Sequence, residues 1–258
     1  MPRPILGAAR LPTSKSARRG LVWMTTTTPS GEPERAIRLV VGLGNPGPRY
    51  AGTRHNVGVM VLHELARRLD SGRPATRFAG TYREARGPAG PLGLLVPQTY
   101  MNESGRSVGP AAGSLHVHPD QVLVIHDEID LPFGVVRGKR GGGTGGHNGL
   151  RSVEQGLGSR EFLRIRVGVG RQTPDFRGDE AAWVLANFSE PRTEIQALIG
   201  RAVTMIESTL AEGLEAAIAR FHASPPGVRA RQRAERREAD APLEPTDEPG
   251  SDPAADGE

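Results

Sequence analysis

Leu39-Val40-Val41-Gly42-Leu43-Gly44-Asn45-Pro46-Gly47 is a strand-like apolar run, Leu39–Leu43, that ends in a glycine-rich turn. The turn satisfies G-x-G-x-x-G, the spacing of a dinucleotide-binding loop. Such a loop needs a strand, a tight turn and an immediate helix. Here Asn45-Pro46 and Gly47-Pro48 intervene, and proline restricts the residue before it and blocks smooth entry into a helix. The helix is expected only from Thr53-Arg54-His55-Asn56. The loop therefore presents the Asn45 amide, donor and acceptor together, at a strand end.

Working outward, strand-like runs recur at Leu92–Pro97, Gln121–His126 and Leu163–Val169. Helical faces separate them: Val59, Leu62, Ala66 and Leu69 share one, and Ile195, Leu198, Ala202, Val203 and Ile206 share another. This alternation predicts an α/β layer fold with a mostly parallel sheet. In such sheets functional residues gather at the carboxyl ends of the strands.

The folded domain is expected over 35–224, after the acid-free basic stretch with Arg3, Arg10, Lys15, Arg18 and Arg19. Ser224-Pro225-Pro226-Gly227 closes it. Residues 1–34 and 225–258 read as disordered charged extensions, the latter with five arginines between Arg229 and Arg237 and only acids from Asp240 onward. The N-terminal stretch has the composition of a transit peptide, but Met24 as the true start explains it equally.

Net charge is +4 in 258 residues, and there is no cysteine, which excludes disulfides, thiolate chemistry and sulfur-ligated metals. Aromatics at 4% argue against a stacking platform for single-stranded nucleic acid. No run approaches the roughly 18 apolar residues of a membrane span. A cytoplasmic monomer is the expectation.

Polar loops after the apolar runs carry the candidate chemistry. If Thr53 caps the following helix, His55 lies in its first turn, where the helix dipole keeps an imidazole neutral, as a general base must be. A surface or capping histidine would look the same. Gln98-Thr99-Tyr100-Met101-Asn102 offers a second asparagine, either a substrate ligand or a helix cap, with Pro110 making the helix ahead irregular. His126-Asp127-Glu128-Ile129-Asp130 places carboxylates at a strand end, able to orient a histidine. His116-Val117-His118 sits in a connector, and no metal-ligand spacing supports a metal. Gly141-Gly142-Gly143-Thr144-Gly145-Gly146-His147-Asn148-Gly149 lacks the Gly-Lys-Ser/Thr ending of an ATP loop, and Asn148 could cap the helix-like Leu150–Leu157.

Taken together, the string Val40–Gly58, Pro97–Gly105, His126–Pro132 and Gly141–Leu150, in that order, resembles bacterial peptidyl-tRNA hydrolases, from about Ile37 to Phe221. The resemblance implies one α/β domain with a twisted, mixed, mostly parallel sheet and helices on both faces. It implies His55 as general base, Asp127 as its orienting carboxylate, and Asn45, Asn102 and Asn148 as grips on peptide, ester and water. Tyr50, Tyr100 and Met101 would line the cleft. Lys139 and Arg166, with Arg137 and Arg140, would face transfer RNA phosphates, and Arg151, Arg160 and Arg164 could extend that surface. No cofactor or metal is implied. Near-neutral titration of His55 is expected from the opposed pulls of helix end and carboxylate. Two rivals differ in class: a non-hydrolytic splicing-type RNA binder of the same fold, and a nicotinamide-dependent oxidoreductase resting on the glycine spacing alone.

Overall fold

Seven strands form one sheet in the computed structural model, which describes residues 35–221; the expected basic extension (1–34) and charged tail (225–258) lie outside the described residues. The strands are β1 (Leu39–Gly42), β2 (Ala75–Arg77), β3 (Gly80–Gly87), β4 (Gly90–Pro97), β5 (Val122–Glu128), β6 (Val136–Arg140) and β7 (Leu163–Gly168). The sheet order is β2-β3-β4-β1-β5-β7-β6. The four central strands are parallel, and β3 and β6 run antiparallel to their neighbours β4 and β7. This is the expected mixed, mostly parallel sheet.

Alternation along the buried strands sorts side chains to two faces. Val40, Leu94, Leu123, Ile125 and Ile165 join α1 (Val57–Arg68), α5 (Arg192–Glu212) and α6 (Leu214–Phe221) in one apolar cluster. Leu39, Val41, Leu95, Val122 and Val124 join α2 (Gly105–Ser114) and α3 (Asn148–Leu157) in the other. Helices cover both faces because strands buried on both sides must be. A sixth short helix, α4 (Glu180–Leu185), follows β7. It has no signature in the sequence periodicity. Pro110 is accommodated inside α2 on an exposed position.

The glycines of the first turn serve packing. A Cβ on Gly42 would meet the Gly58 carbonyl oxygen at 2.5 Å, and one on Gly44 would meet Val59 at 2.6 Å and the Asn56 amide at 2.9 Å. The chain then makes two single 3-10 turns, Pro48–Tyr50 and Arg54–Asn56, before α1 begins at Val57. A dinucleotide loop would need the helix at once. Gly58 itself lies against backbone: its Cβ would approach Leu43 O at 2.7 Å, Leu43 N at 2.8 Å and Ile125 O more closely still. Gly58→Ala is therefore expected to destabilise the fold by about 1–3 kcal/mol through overpacking. A lower urea midpoint at unchanged slope would register it.

Candidate active site

The carboxyl ends of β1, β4 and β5 face the same way, so the segments carrying Asn45, Asn102 and Asp127 open onto one cleft of about 670 Å³. The cleft is lined among others by Asn45, His55, Met101, Asn102, Asp127 and Asn148. Six of the expected site residues are thus brought together from segments far apart in sequence.

His55 stands in the 3-10 turn before α1 rather than in the helix itself. Thr53 does not cap with its side chain; its hydroxyl donates to Tyr50 O at 2.9 Å. The dipole expected to act on His55 therefore belongs to a helix that starts two residues later. What governs the ring is Asp127: His55 Nδ1 lies 2.9 Å from both carboxylate oxygens. Burial works against a charged imidazole, but the carboxylate charge and hydrogen bond outweigh it and raise the His55 pKa above its ordinary 6.5. With Nδ1–H donated to Asp127, the neutral ring keeps its lone pair on Nε2.

Asp127 is buried. Burial alone would raise its pKa, yet His55 and His147 hold it well below the usual carboxylate range. His147 is the residue that sequence reasoning passed over. Its Nε2 lies 3.0 Å from Asp127 Oδ1, while its Nδ1 accepts from Gly149 N at 3.1 Å and Leu150 N at 3.3 Å. His147, not Asn148, is thus the N-cap of α3. A ring nitrogen that accepts two N–H groups carries no proton, so the proton sits on Nε2 and points at Asp127. His55, Asp127 and His147 offer ligand atoms within 4.8 Å of one another, a cluster of the kind that can hold a metal. The tautomer of His147 leaves no lone pair on Nε2 for a cation.

His126 neighbours this pair. Burial and the adjacent His147 push its pKa down to about 3, so the ring is neutral. Its Nδ1 donates to the Asp127 carbonyl at 2.7 Å, and its Nε2 has no hydrogen-bond partner among the described residues.

The Asn45 loop is clamped by buried Asn56, which accepts from Asn45 N and donates to Asn45 O, each at 2.9 Å. Asn45 Oδ1 accepts from Met101 N at 2.8 Å. This fixes the amide orientation and leaves Nδ2 as the donor the side chain can offer the cleft. Asn102 and Asn148 are exposed on the cleft wall.

The two tyrosines expected in the cleft are not found there, and the expected phosphate-facing residues Lys139 and Arg166 stand outside it. Tyr50 and Tyr100 do not line the cleft: Tyr50 bonds and stacks with Arg49, and Tyr100 is 54% exposed just before Met101. Lys139 and Arg166 lie off the cleft on β6 and β7, where Arg137 pairs with Arg166 and Lys139 with Arg164 in register. Those four alternate positions share one sheet face. Arg166 is held by Glu128 at 2.8 Å, and Lys139 is exposed. Arg164 is buried and unsuited to a phosphate; it donates to Gly142 O at 2.6 Å and Gly143 O at 2.7 Å, fastening the glycine loop. Arg160 pairs with Glu154.

The glycine loop leaves β6 at the opposite end of the sheet from Asp127, since Arg140 pairs with Leu163 while Asp127 pairs with Val167. It runs back to deliver His147 and Asn148 to the cleft. Gly141, Gly142, Gly145 and Gly146 all have positive φ, which only glycine adopts freely.

A sequence model of the peptidyl-tRNA hydrolase family matches residues 39–229. The chain is 50% identical over 187 residues to a peptidyl-tRNA hydrolase of Mycolicibacterium smegmatis, covering 72% of this chain and 97% of that one. It is 46% identical over 197 residues to one of Frankia casuarinae, covering 76% and 98%. The crystal structure of peptidyl-tRNA hydrolase from Acinetobacter baumannii superposes with a TM-score of 0.65 at 34% identity, covering 73% of this chain and 95% of that one.

Proposed function

The chain belongs to the peptidyl-tRNA hydrolase family, and from that premise we propose that it cleaves the ester between peptide and transfer RNA with water activated at His55 Nε2. The observation that carries this reading is the His55–Asp127 pair at 2.9 Å on the wall of the cleft, with its free ring nitrogen available to water. His55 takes a proton as the water oxygen attacks the ester carbonyl. Asp127, ionised and fixed by two histidines, stabilises the imidazolium that forms. The tetrahedral oxyanion is met by Asn45 Nδ2, a donor worth about 10²–10³-fold in rate. Collapse expels the ribose oxygen, which recovers the proton from His55, and free peptide and transfer RNA leave. Asn102 and Asn148 hold the peptide beside the water.

An ester is labile enough that no covalent nucleophile is called for. The basic face of β6 and β7, with Lys139 foremost, would meet phosphates of the acceptor end by contacts that weaken with salt. Monomeric action in the cytoplasm fits a translation substrate, and no helix among the described residues is long and apolar enough to cross a membrane.

The test is hydrolysis of N-acetyl-aminoacyl-tRNA by the purified chain with EDTA present. Release of the acyl group at undiminished rate is expected. Binding of the RNA without cleavage would instead place the chain with non-hydrolytic RNA binders of this fold, and activity lost to EDTA would require a metal at the histidine cluster.

A further inference from the structure

We infer that Arg54 is a positioning residue that locks the α4 wall of the cleft to the turn carrying His55, and thereby sets the affinity for the peptide portion of the substrate; this rests on the reading of the cleft as the peptidyl-tRNA site. Arg54 is only 1% exposed, and burying a guanidinium is costly unless acceptors meet it; both Nη groups find acceptors, while the buried Nε has no hydrogen-bond partner among the described residues. Among the described residues, the partners of its guanidinium all come from one segment. Nη1 donates to Asn187 O at 2.6 Å and Ala186 O at 3.5 Å; Nη2 donates to Ser189 Oγ at 3.1 Å and Glu190 Oε2 at 3.2 Å. The guanidinium carbon sits 3.7 Å from the Trp183 ring centre and 5.4 Å from that of Phe188. Backbone bonds run alongside, Arg54 N to Ala186 O and Phe188 N to Gly52 O, and Thr53 bridges to Asn187.

The locked segment matters because α4 has six residues, too few to be stable by itself. Besides the backbone bond from Arg54 N, its ties include Trp183, buried against Phe176 with Nε1 donating to Gly170 O at 2.8 Å, and an exposed Glu180–Arg171 pair; exposed pairs contribute little. Yet this helix supplies Ala181, Val184 and Leu185 to the cleft, which with Ile129 give an apolar wall near His55. Peptide side chains, unlike the ribose, can bury against such a wall. The His55–Asp127 bond is anchored separately by the β5 ladder. Loosening α4 should therefore weaken substrate binding and spare the chemistry.

The test uses the full chain carrying Arg54→Lys, which keeps the charge but not the forked set of donors. With N-acetyl-aminoacyl-tRNA, KM is expected to rise about tenfold while kcat stays within about threefold of wild type. Hydrogen exchange of amides 183–190 should accelerate while that of β5 is unchanged. Unchanged KM with unchanged exchange would overturn the inference. So would a fall in kcat at constant KM, because Arg54 would then act on His55. If the variant does not fold, Glu190→Gln gives the decision by the same two readouts, with KM expected to rise about threefold; no change in either overturns the inference. Should wild type fail to hydrolyse the ester, the hydrolase reading of the cleft falls, while the exchange data still decide whether Arg54 locks α4.

Discussion

His55→Ala is expected to lower the single-turnover rate of N-acetyl-aminoacyl-tRNA hydrolysis by about 10²–10⁴-fold, the range that general-base assistance supplies. The variant should bind the RNA as before, because His55 sits half-buried against Asp127 rather than on the basic face. Residual cleavage would come from Asn45 and from substrate positioning. Removing His55 also leaves the buried Asp127 carboxylate with His147 as its single histidine partner. Its pKa depression should shrink accordingly, since His55 is one of the two groups that hold it down. A rate within a few-fold of wild type would mean that some other group activates the water.

Asp127→Asn should be almost as damaging, for a reason that lies in His147. An asparagine there offers one acceptor and one donor in place of two acceptors. His147 cannot adapt, because its Nδ1 is committed to the backbone N–H groups of Gly149 and Leu150. The asparagine oxygen must therefore serve His147, and its NH₂ turns toward His55. His55 can then only accept at Nδ1, which moves its proton to Nε2 and blocks the nitrogen that faces water. A wrong tautomer of this kind costs about 10⁴-fold in the serine-protease triad, and a loss of about 10²–10⁴-fold is expected here. The stability effect has a defined sign. Asp127 has a depressed folded pKa, so its ionisation contributes stability above its ordinary pKa of 3.8, lost as pH falls through the folded value. The variant should lack that acid-side loss. Near-wild-type hydrolysis by Asp127→Asn would remove Asp127 from the mechanism.

The fold was legible because its buried strands are continuous apolar runs and its long helices have clear faces: Leu39–Leu43 and Gln121–His126 announce β1 and β5, and Leu198, Ala202 and Ile206 announce α5. The hairpin strand β3 and the two edge strands β2 and β6 were missed; β2 is only three residues long and exposed throughout. β3 carries Arg83, Glu84 and Arg86, and β6 carries Arg137, Lys139 and Arg140, so neither reads as apolar. The asparagines and the His55–Asp127 couple were legible through their motifs, but their meeting was not, since it depends on β1 and β5 lying side by side. His147 was hidden by its dual task as helix cap and carboxylate clamp; a histidine after two glycines and before a helix is the signal that could have found it. Arg54 gave no signal at all, because a buried arginine is indistinguishable in sequence from a solvated one. Arg164 misled for the same reason, its guanidinium spent on two glycine carbonyls instead of phosphate.

Ring-nitrogen NMR of His55 in ¹⁵N-histidine-labelled protein, followed through a pH titration, tests the central claim most directly. On the alkaline side of its titration Nε2 should appear as a bare nitrogen and Nδ1 as protonated, the tautomer a general base needs. The bare signal should vanish on acidification with a midpoint above 6.5, the ordinary histidine value. Because the folded pKa is raised, the His55–Asp127 charge pair contributes stability below 6.5 that is lost as pH rises through that midpoint. A protonated Nε2 on the neutral ring, or a midpoint below the ordinary value, would contradict the assignment of His55 as the base.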